Sequence, residues 1–208
     1  MKVLVVYYSL YGHTFQLAQA AGRGVSSVSG VELVMRRVEE FDSVLKSTAG
    51  SEHANKLRAE QKDIPVCTMD DLREADGVLF GSPTRYGNMT AQMKFLIDST
   101  AGLWVKGEME GKPAGVFTST ASTHGGQETT LLTMMVPLIH LGMIIVGLPY
   151  SLPGMIHTEG RGSSPYGASA LAGGRGELQP AKEDLALAEA LGKRVAEITL
   201  KVRGAKNG

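Results

Sequence analysis

Five short apolar runs divide the chain, and each has the length and composition of a buried β-strand. They lie at residues 3–8, 31–38, 78–81, 114–119 and 143–147. A nearly continuous apolar run, in place of strict alternation, is typical of a strand that is covered on both faces. The runs therefore predict a parallel sheet buried between two layers.

Four longer segments separate or follow these runs and have the periodicity of helices. They lie near residues 13–28, 88–100, 127–141 and 181–202. The last segment carries one apolar stripe at helical spacing, formed by Leu185, Ala188, Leu191, Val195, Ile198 and Val202. Strands that alternate with helices predict an α/β fold, a doubly wound parallel sheet with helices on both faces.

Two segments do not fit this alternation and are predicted to be insertions in a single domain that spans residues 1–208. Residues 39–76 are mostly polar, and a flexible surface loop and an ordered functional segment are equally good interpretations of their first part. Residues 151–180 are rich in glycine but include Ile156 and Tyr166. An ordered insertion is therefore expected there.

Composition and charge exclude several classes of protein. Lys plus Arg and Asp plus Glu both number 21, so the formal net charge is zero, which argues against direct binding of nucleic acid. The single cysteine, Cys67, cannot form an internal disulfide. Residues 3–8 are too few to span a bilayer and no cleavage site follows them, so a cytoplasmic protein is expected. No metal site is expected, because metal-ligand spacing is lacking among the histidines at positions 13, 53, 124, 140 and 157.

The first predicted strand runs directly into a loop rich in hydroxyl groups, "SLYGHT" at residues 9–14. Ligands of open parallel sheets collect at the carboxyl ends of strands, where the next helix presents its first N–H groups to an anion. Ser9, Tyr11 and Thr14 supply hydroxyl donors, and Gly12 permits a tight turn. Neither G-x-x-x-x-G-K-[ST] nor G-x-G-x-x-G follows the strand, which excludes two familiar phosphate loops. The loop predicts a monophosphate site with neutral donors, although Ser9 and Thr14 would equally serve as helix caps.

Two further strand ends lead into loops of similar character, "GSPTRYGN" at residues 81–88 and "STASTHGGQE" at residues 119–128. Both loops combine hydroxyl groups with glycines, and Tyr86 adds a flat aromatic face. Because parallel strands end at the same edge of a sheet, the three loops are expected to surround one slot. A flat ring with a single phosphate fits such a slot, and flavin mononucleotide (FMN) has that shape.

These motifs together resemble one known family, the flavodoxin-like NAD(P)H:quinone oxidoreductases of the Trp-repressor-binding-protein (WrbA) type. The resemblance runs from residue 2 nearly to the end of the last helix. It rests on "VLVVYYSLYGHT", "GSPTRYGNM", "GLW" at 102–104, "GGQE" at 125–128, "GMIIV" at 142–146 and "SPYGASALAGG" at 164–174.

The resemblance implies a five-stranded sheet in the order 2-1-3-4-5 and non-covalently bound FMN. It implies two-electron reduction of a quinone to a hydroquinone, by hydride transfer through the flavin, with NADH or NADPH as the electron donor. It also implies a homotetramer, and the segment 151–180 is the expected contributor to its interfaces.

The resemblance further assigns the cofactor site to residues at matching positions. These are Ser9, Leu10, Tyr11, Gly12, His13 and Thr14 in the first loop, Thr84, Arg85 and Tyr86 in the second, Ser119, Thr120, Ala121, Ser122 and Thr123 in the third, and His140. Tyr11 is also assigned to the nicotinamide, and Trp104 to the quinone. Because the cofactor carries the chemistry, no catalytic side chain is expected.

Simpler interpretations stand beside these assignments. From the residues alone, the setting of His140 in an apolar helix is more typical of a core histidine than of a flavin contact. Trp104 is equally an aromatic of a subunit interface. Arg85 is equally a member of a surface ion pair. The third loop is one residue longer than the common "STGTGGGQE" and has His124 among its glycines, so the assignments within residues 121–125 are open by one position.

Two other functions stay open at the level of the sequence. One is a flavodoxin, a one-electron carrier, although carriers generally use a charged surface to steer their partners and the charge here is balanced. The other is a non-catalytic interaction protein whose assembly depends on the flavin. The residues distinguish neither NADH from NADPH nor one quinone from another.

Overall fold

The computed structural model describes residues 1–156, 158 and 161–204, so one of the five histidines, His157, lies outside the described residues. The strands are β1 (Lys2–Tyr7), β2 (Glu32–Arg37), β3 (Gly77–Pro83), β4 (Pro113–Thr120), β5 (Ile144–Ile145) and β6 (Ala168–Leu171). The helices are α1 (His13–Ser26), α2 (Asp42–Ser47), α3 (Glu52–Glu60), α4 (Met69–Glu74), α5 (Ala91–Asp98), α6 (Ala101–Val105), α7 (Gln127–His140) and α8 (Lys182–Gly204).

The strands form one sheet in the order β2-β1-β3-β4-β5, and its ladders are parallel. This order confirms the prediction. In β1, between β2 and β3, Val5 pairs with Met35 on one side and Leu79 on the other. Its side chains alternate between two cores, since Leu4 and Val6 pack with residues of α5 and α7 whereas Val5 packs with residues of α1 and α8. Because each face of β1 is covered, the strand is apolar at nearly every position.

Two short strands share the fifth position of the sheet. β5 pairs with the start of β4, while β6 pairs with the end of the same strand. The predicted strand at residues 143–147 is therefore too long, and β6 was not predicted. The chain leaves the edge at Gly147, where a Cβ atom would lie 2.2 Å from the carbonyl oxygen of Pro165. The second insertion thus begins between β5 and β6, the two strands that share this edge of the sheet.

The first insertion, residues 39–76, is ordered and contains α2, α3 and α4. The flexible-loop interpretation of this segment is therefore wrong, and the ordered alternative holds. α4 begins with a capping box in which Thr68 and Asp71 exchange hydrogen bonds. Gln61, which follows α3, donates from Nε2 to the carbonyl oxygen of Ser9 at 3.3 Å. This bond ties the insertion to the carboxyl end of β1.

The described part of the second insertion, residues 151–156, 158 and 161–180, is ordered for a different reason from the one that its apolar side chains suggest. Ile156 and Tyr166 are both exposed. The order comes from β6 and from the backbone, where Ser164 and Gly167 exchange two hydrogen bonds of 3.0 Å. Backbone pairing, and not burial of those two side chains, holds this segment against β4.

Helices α1 and α8 lie side by side on one face of the sheet and approach each other closely. A Cβ atom at Gly192 would lie 2.0 Å from the carbonyl oxygen of Ala21, and Gly24 is equally tight against α8. This approach brings the segment between β6 and α8 against the start of α1. There the ring of His13 donates from Nε2 to the carbonyl oxygen of Leu178 at 2.8 Å.

Candidate functional site

A cavity of about 430 Å³ lies at the carboxyl ends of β1, β3, β4 and β6. This volume is within the range of small-molecule and cofactor sites, roughly 300–1,000 Å³. Most of the predicted cofactor residues line it, and we call it the first cavity. The predicted residues in its wall are Ser9, Leu10, Tyr11, His13, Thr14, Thr84, Arg85, Ser119, Thr120 and Ala121.

The first loop does not use its hydroxyl groups to cap α1. The N-cap is Gly12, at φ 90°, and no side chain of the described residues caps this helix end. Ser9 Oγ instead accepts from the Gly12 N–H at 3.2 Å within the loop. Thr14 Oγ1 is hydrogen-bonded to Ser119 Oγ at 2.9 Å. The loop therefore turns its hydroxyl groups inward, and the capping interpretation is wrong.

The second and third loops are joined by hydrogen bonds around Thr84. Its N–H donates to the carbonyl oxygen of Ser119 at 2.9 Å, and its Oγ1 accepts from Thr130 Oγ1 at 2.8 Å. Arg85 and Asn88 exchange two backbone hydrogen bonds, which close a turn with the fully exposed Tyr86 at φ 55°. The turn presents an aromatic side chain beside the first cavity without burying it.

The third loop reaches the first cavity only through its beginning. Thr120 and Ala121 line the wall, whereas Ser122, Thr123 and His124 are exposed outside it. Thr120 Oγ1 donates to the carbonyl oxygen of Ser122 at 2.9 Å, which fixes the path of the loop as it turns away.

Sequence reasoning missed a fourth wall, the turn between β6 and α8. Residues 172–176, which read "AGGRG", line the first cavity. The turn is joined to the third loop, since the Ala172 N–H donates to the carbonyl oxygen of Thr120 at 2.7 Å. The available signal was the same one that identified the other loops, a glycine-rich stretch between a strand and a helix.

His53 of α3 and Pro83 complete the lining and were also not predicted. The ring of His53 stacks on that of Tyr11, with centroids 6.3 Å apart and an interplanar angle of 15°. Tyr11 is about half exposed. This pair forms a flat aromatic surface at the mouth, and the first insertion supplies half of it.

Among the described residues, two arginines, Arg85 and Arg175, carry the charge of the first cavity, and no carboxylate lines it. Burial lowers the pKa of His13 against the opposing effect of its backbone hydrogen bonds. The neutral form of that ring is therefore favoured. The cavity has the electrostatics of an anion site, with hydroxyl groups at one wall and cations at two others.

His140 and Trp104 lie elsewhere within one chain. They line a second cavity of about 660 Å³ between α5, α6 and α7, together with Val136 and Pro137. We call this the α6–α7 groove. The single chain does not bring these two residues to the first cavity, so their assignments to the flavin and the quinone stay predictions.

The part of the chain that the structure describes contains neither a metal-binding cluster nor a helix suited to a bilayer. No cluster of three or more His, Cys, Asp or Glu side chains in this part of the chain could hold a metal ion. None of its helices combines the length and apolar character needed to cross a bilayer.

A doubly wound parallel sheet with a ligand cavity at its strand ends, beside the first helix, defines a flavodoxin-like α/β protein. Residues 1–156 match the family model for NADPH-dependent FMN reductases. The chain belongs to this family.

Relatives and solved structures agree with this assignment. The chain is 50% identical to an NAD(P)H dehydrogenase (quinone) of Geobacter metallireducens, over 98% of this chain and the whole relative. It is 51% identical to the enzyme of the same name from Geobacter sulfurreducens, again over 98% of this chain and the whole relative. These relatives confirm the family resemblance found in the motifs.

The fold is similar to that of a WrbA-like flavodoxin from Agrobacterium tumefaciens. The TM-score is 0.66 at 23% identity, over 96% of this chain and 98% of the other. A flavodoxin from the domain Archaea gives a TM-score of 0.62 at 22% identity, over 96% and 99% of the two chains. At this level of identity the two structures support the fold alone.

Proposed function

We propose that the protein is an FMN-dependent NAD(P)H:quinone oxidoreductase, built as one FMN-binding domain. The observation that carries the proposal is the first cavity, where three predicted loops and the start of α1 meet at one edge of the sheet. Membership of the FMN reductase family and the name of the full-length relatives support the same activity.

The donor set of the first cavity fits FMN. The phosphate would be held by the hydroxyl groups of Ser9 and Thr14 and by the first N–H groups of α1. Each hydrogen bond to a charged group contributes about 1.5–3 kcal/mol, so a few such donors suffice for stable binding. The ring would lie between the second loop, at Thr84 and Arg85, and the beginning of the third loop, at residues 119–121.

The chemistry that bound FMN supplies is two-electron hydride transfer from a nicotinamide to a quinone. The chain's own residues position the reactants. Tyr11, stacked on His53 at the mouth, offers a flat surface for a nicotinamide or quinone ring. Arg85 supplies positive charge beside the ring. No side chain is required to act as a nucleophile.

We further infer that the protein is a homotetramer in which a second copy covers the α6–α7 groove. Trp104 and Val136 in this groove are both more than half exposed, which is unusual for large apolar side chains outside an interface. A second copy would also bring Trp104 and His140 to the neighbouring flavin, as the family resemblance requires.

The buried free thiol of Cys67 suits the reducing cytoplasm, where we propose that the enzyme acts.

Anaerobic mixing of the FMN-loaded protein with NADH or NADPH, followed by benzoquinone, tests the proposed activity. Rapid loss of flavin absorbance and stoichiometric formation of hydroquinone are expected. FMN binding without oxidation of either nicotinamide would favour the one-electron carrier. Full FMN occupancy with quinone turnover at background would favour the non-catalytic interaction protein.

A further inference from the structure

The turn between β6 and α8, residues 172–176, forms one wall of the first cavity. Arg175 is the only charged side chain that the described residues contribute to this wall. Positive φ angles at Gly173 and Gly176 and a hydrogen bond from the Gly176 N–H to the Gly173 carbonyl oxygen at 3.1 Å fix the turn. A Cβ atom at Gly173 would lie 2.5 Å from the carboxylate of Glu177. The backbone under Arg175 is thus held in one conformation by glycines.

The acidic group two residues further along, on Glu177, is bound to the backbone of the same turn. Its Oε2 accepts from the Arg175 N–H at 2.8 Å, and backbone hydrogen bonds lower the pKa of this carboxyl group. The Arg175 guanidinium itself forms no ion pair within the described residues. An exposed guanidinium with five donors therefore faces a cavity without carboxylates.

The same turn lies against the first residue of α1. A Cβ atom at Gly176 would be 3.6 Å from His13 Cε1, and the Gly176 carbonyl is close enough to act on the ring of His13. Arg175 is therefore next to the part of the first cavity where the hydroxyl loop and the start of α1 meet.

We propose that Arg175 binds the 5′-phosphate of FMN and completes the phosphate site with a charged donor. This inference rests on the proposed function, because it assumes that FMN occupies the first cavity. A guanidinium binds a phosphate through paired, charge-assisted hydrogen bonds, which neutral hydroxyl groups cannot match. The site is then a neutral loop from β1–α1 closed by a cation from β6–α8.

Titrations of the full-length apoprotein with FMN and with riboflavin test the role of Arg175, because riboflavin lacks only the phosphate. Arg175→Gln is expected to raise the Kd of FMN about 10-fold or more and to leave the Kd of riboflavin unchanged. The Kd of FMN should also depend less on salt in this variant. Arg175→Lys keeps the charge but loses the paired donors, so its Kd for FMN should lie between that of the wild type and that of Arg175→Gln.

Arg194→Gln is the matched control, since it removes one exposed arginine from α8 outside the first cavity. It should leave both dissociation constants unchanged. An FMN affinity of Arg175→Gln within twofold of the wild type, or an equal loss for riboflavin, would overturn the role of Arg175 alone. Failure of the wild type to bind FMN would instead overturn the proposed function.

Discussion

Lys112 is a buried lysine whose ammonium group binds the carboxyl end of α4. Its Nζ donates to the carbonyl oxygens of Leu72 at 2.9 Å and Arg73 at 2.7 Å. Burial, and then the nearby charge of Arg203, lower the pKa of Lys112 to about 8. Two carbonyl oxygens at the end of α4, which would otherwise lack a hydrogen-bond donor, are thus satisfied. The cost is the burial of a charged group.

This shifted pKa predicts that stability increases with pH above neutrality. Below about pH 8 the lysine is charged in both the folded and the unfolded chain, and the whole cost of burial applies. Between about pH 8 and the ordinary value of 10.5 the unfolded chain binds more protons, so the free energy of unfolding rises. Urea denaturation from pH 7.5 to 10, compared with Lys112→Met, measures the effect. The wild type should gain about 2 kcal/mol relative to the variant, and parallel pH profiles would contradict the prediction.

The residues of the site differ in how well the sequence around each of them predicts its place in the site. Thr14 and Arg85 were predictable because each lies in a hydroxyl-rich stretch that follows a strongly apolar strand. Arg175 was not assigned, although a glycine-rich stretch surrounds it, because the preceding strand β6 is too short and too poor in large apolar residues to be recognised. The positions of His140 and Trp104 relative to the flavin depend on a second chain in our proposal, and one sequence carries no direct signal for that.

The contact between α1 and α8 is the element-scale feature on which the first cavity depends. Gly24 and Gly192 let the two helices approach until backbone meets backbone. Glycine inside a helix costs about 1 kcal/mol relative to alanine. Gly24 and Gly192 therefore lower the stability of their own helices but allow α1 and α8 to approach closely. The gain is that the turn after β6 reaches the start of α1.

Gly192→Ala is expected to destabilise the protein because the new methyl group would meet the carbonyl oxygen of Ala21. Overpacking of this kind typically costs about 1–3 kcal/mol. Thermal or urea unfolding gives the size of the loss, and FMN affinity should fall with it as the helices separate. Gly102→Ala in α6 is the control, since a Cβ atom there meets nothing within 4 Å. Equal stability of the two variants would show that the helices tolerate a wider spacing.

Elements were predictable from the sequence in proportion to their apolar content. β1 and β4 lie within one residue of their predicted ends, since each contains a buried apolar run, although β4 ends in Thr118, Ser119 and Thr120. β6 has only four residues, "ASAL", and two of them are alanine. Its strand character comes from pairing with β4, which is a property of the folded chain.

At the scale of the whole molecule, the α6–α7 groove is a second large surface feature beside the first cavity. Its exposed Trp104 and Val136 are the basis for the proposed tetramer. The fold class itself was predictable, because alternation of strands and helices leaves few arrangements. The assembly was not, since an exposed apolar residue and a buried one look alike in sequence.

Val136→Glu should disrupt the proposed tetramer, because a carboxylate would be buried where a second copy covers the groove. Light scattering of the FMN-loaded wild type should give the mass of four chains, and the variant a smaller mass. Leu45→Glu is the control, an exposed leucine of α2 that lies outside the groove, and it should keep the wild-type mass. A monomeric wild type, or a tetrameric Val136→Glu, would refute the assembly.

The divided fifth position of the sheet restricts how such subunits can meet. One edge of the sheet is formed by β5, with two residues, and β6, with four. At the other edge, residues 65–67 lie along Arg37 of β2. At the edge formed by β5 and β6, the described chain offers no long ribbon to which a neighbour could add its own strand. Growth by sheet extension is therefore disfavoured at that edge, where helical surfaces are left as the means of building closed particles of fixed size.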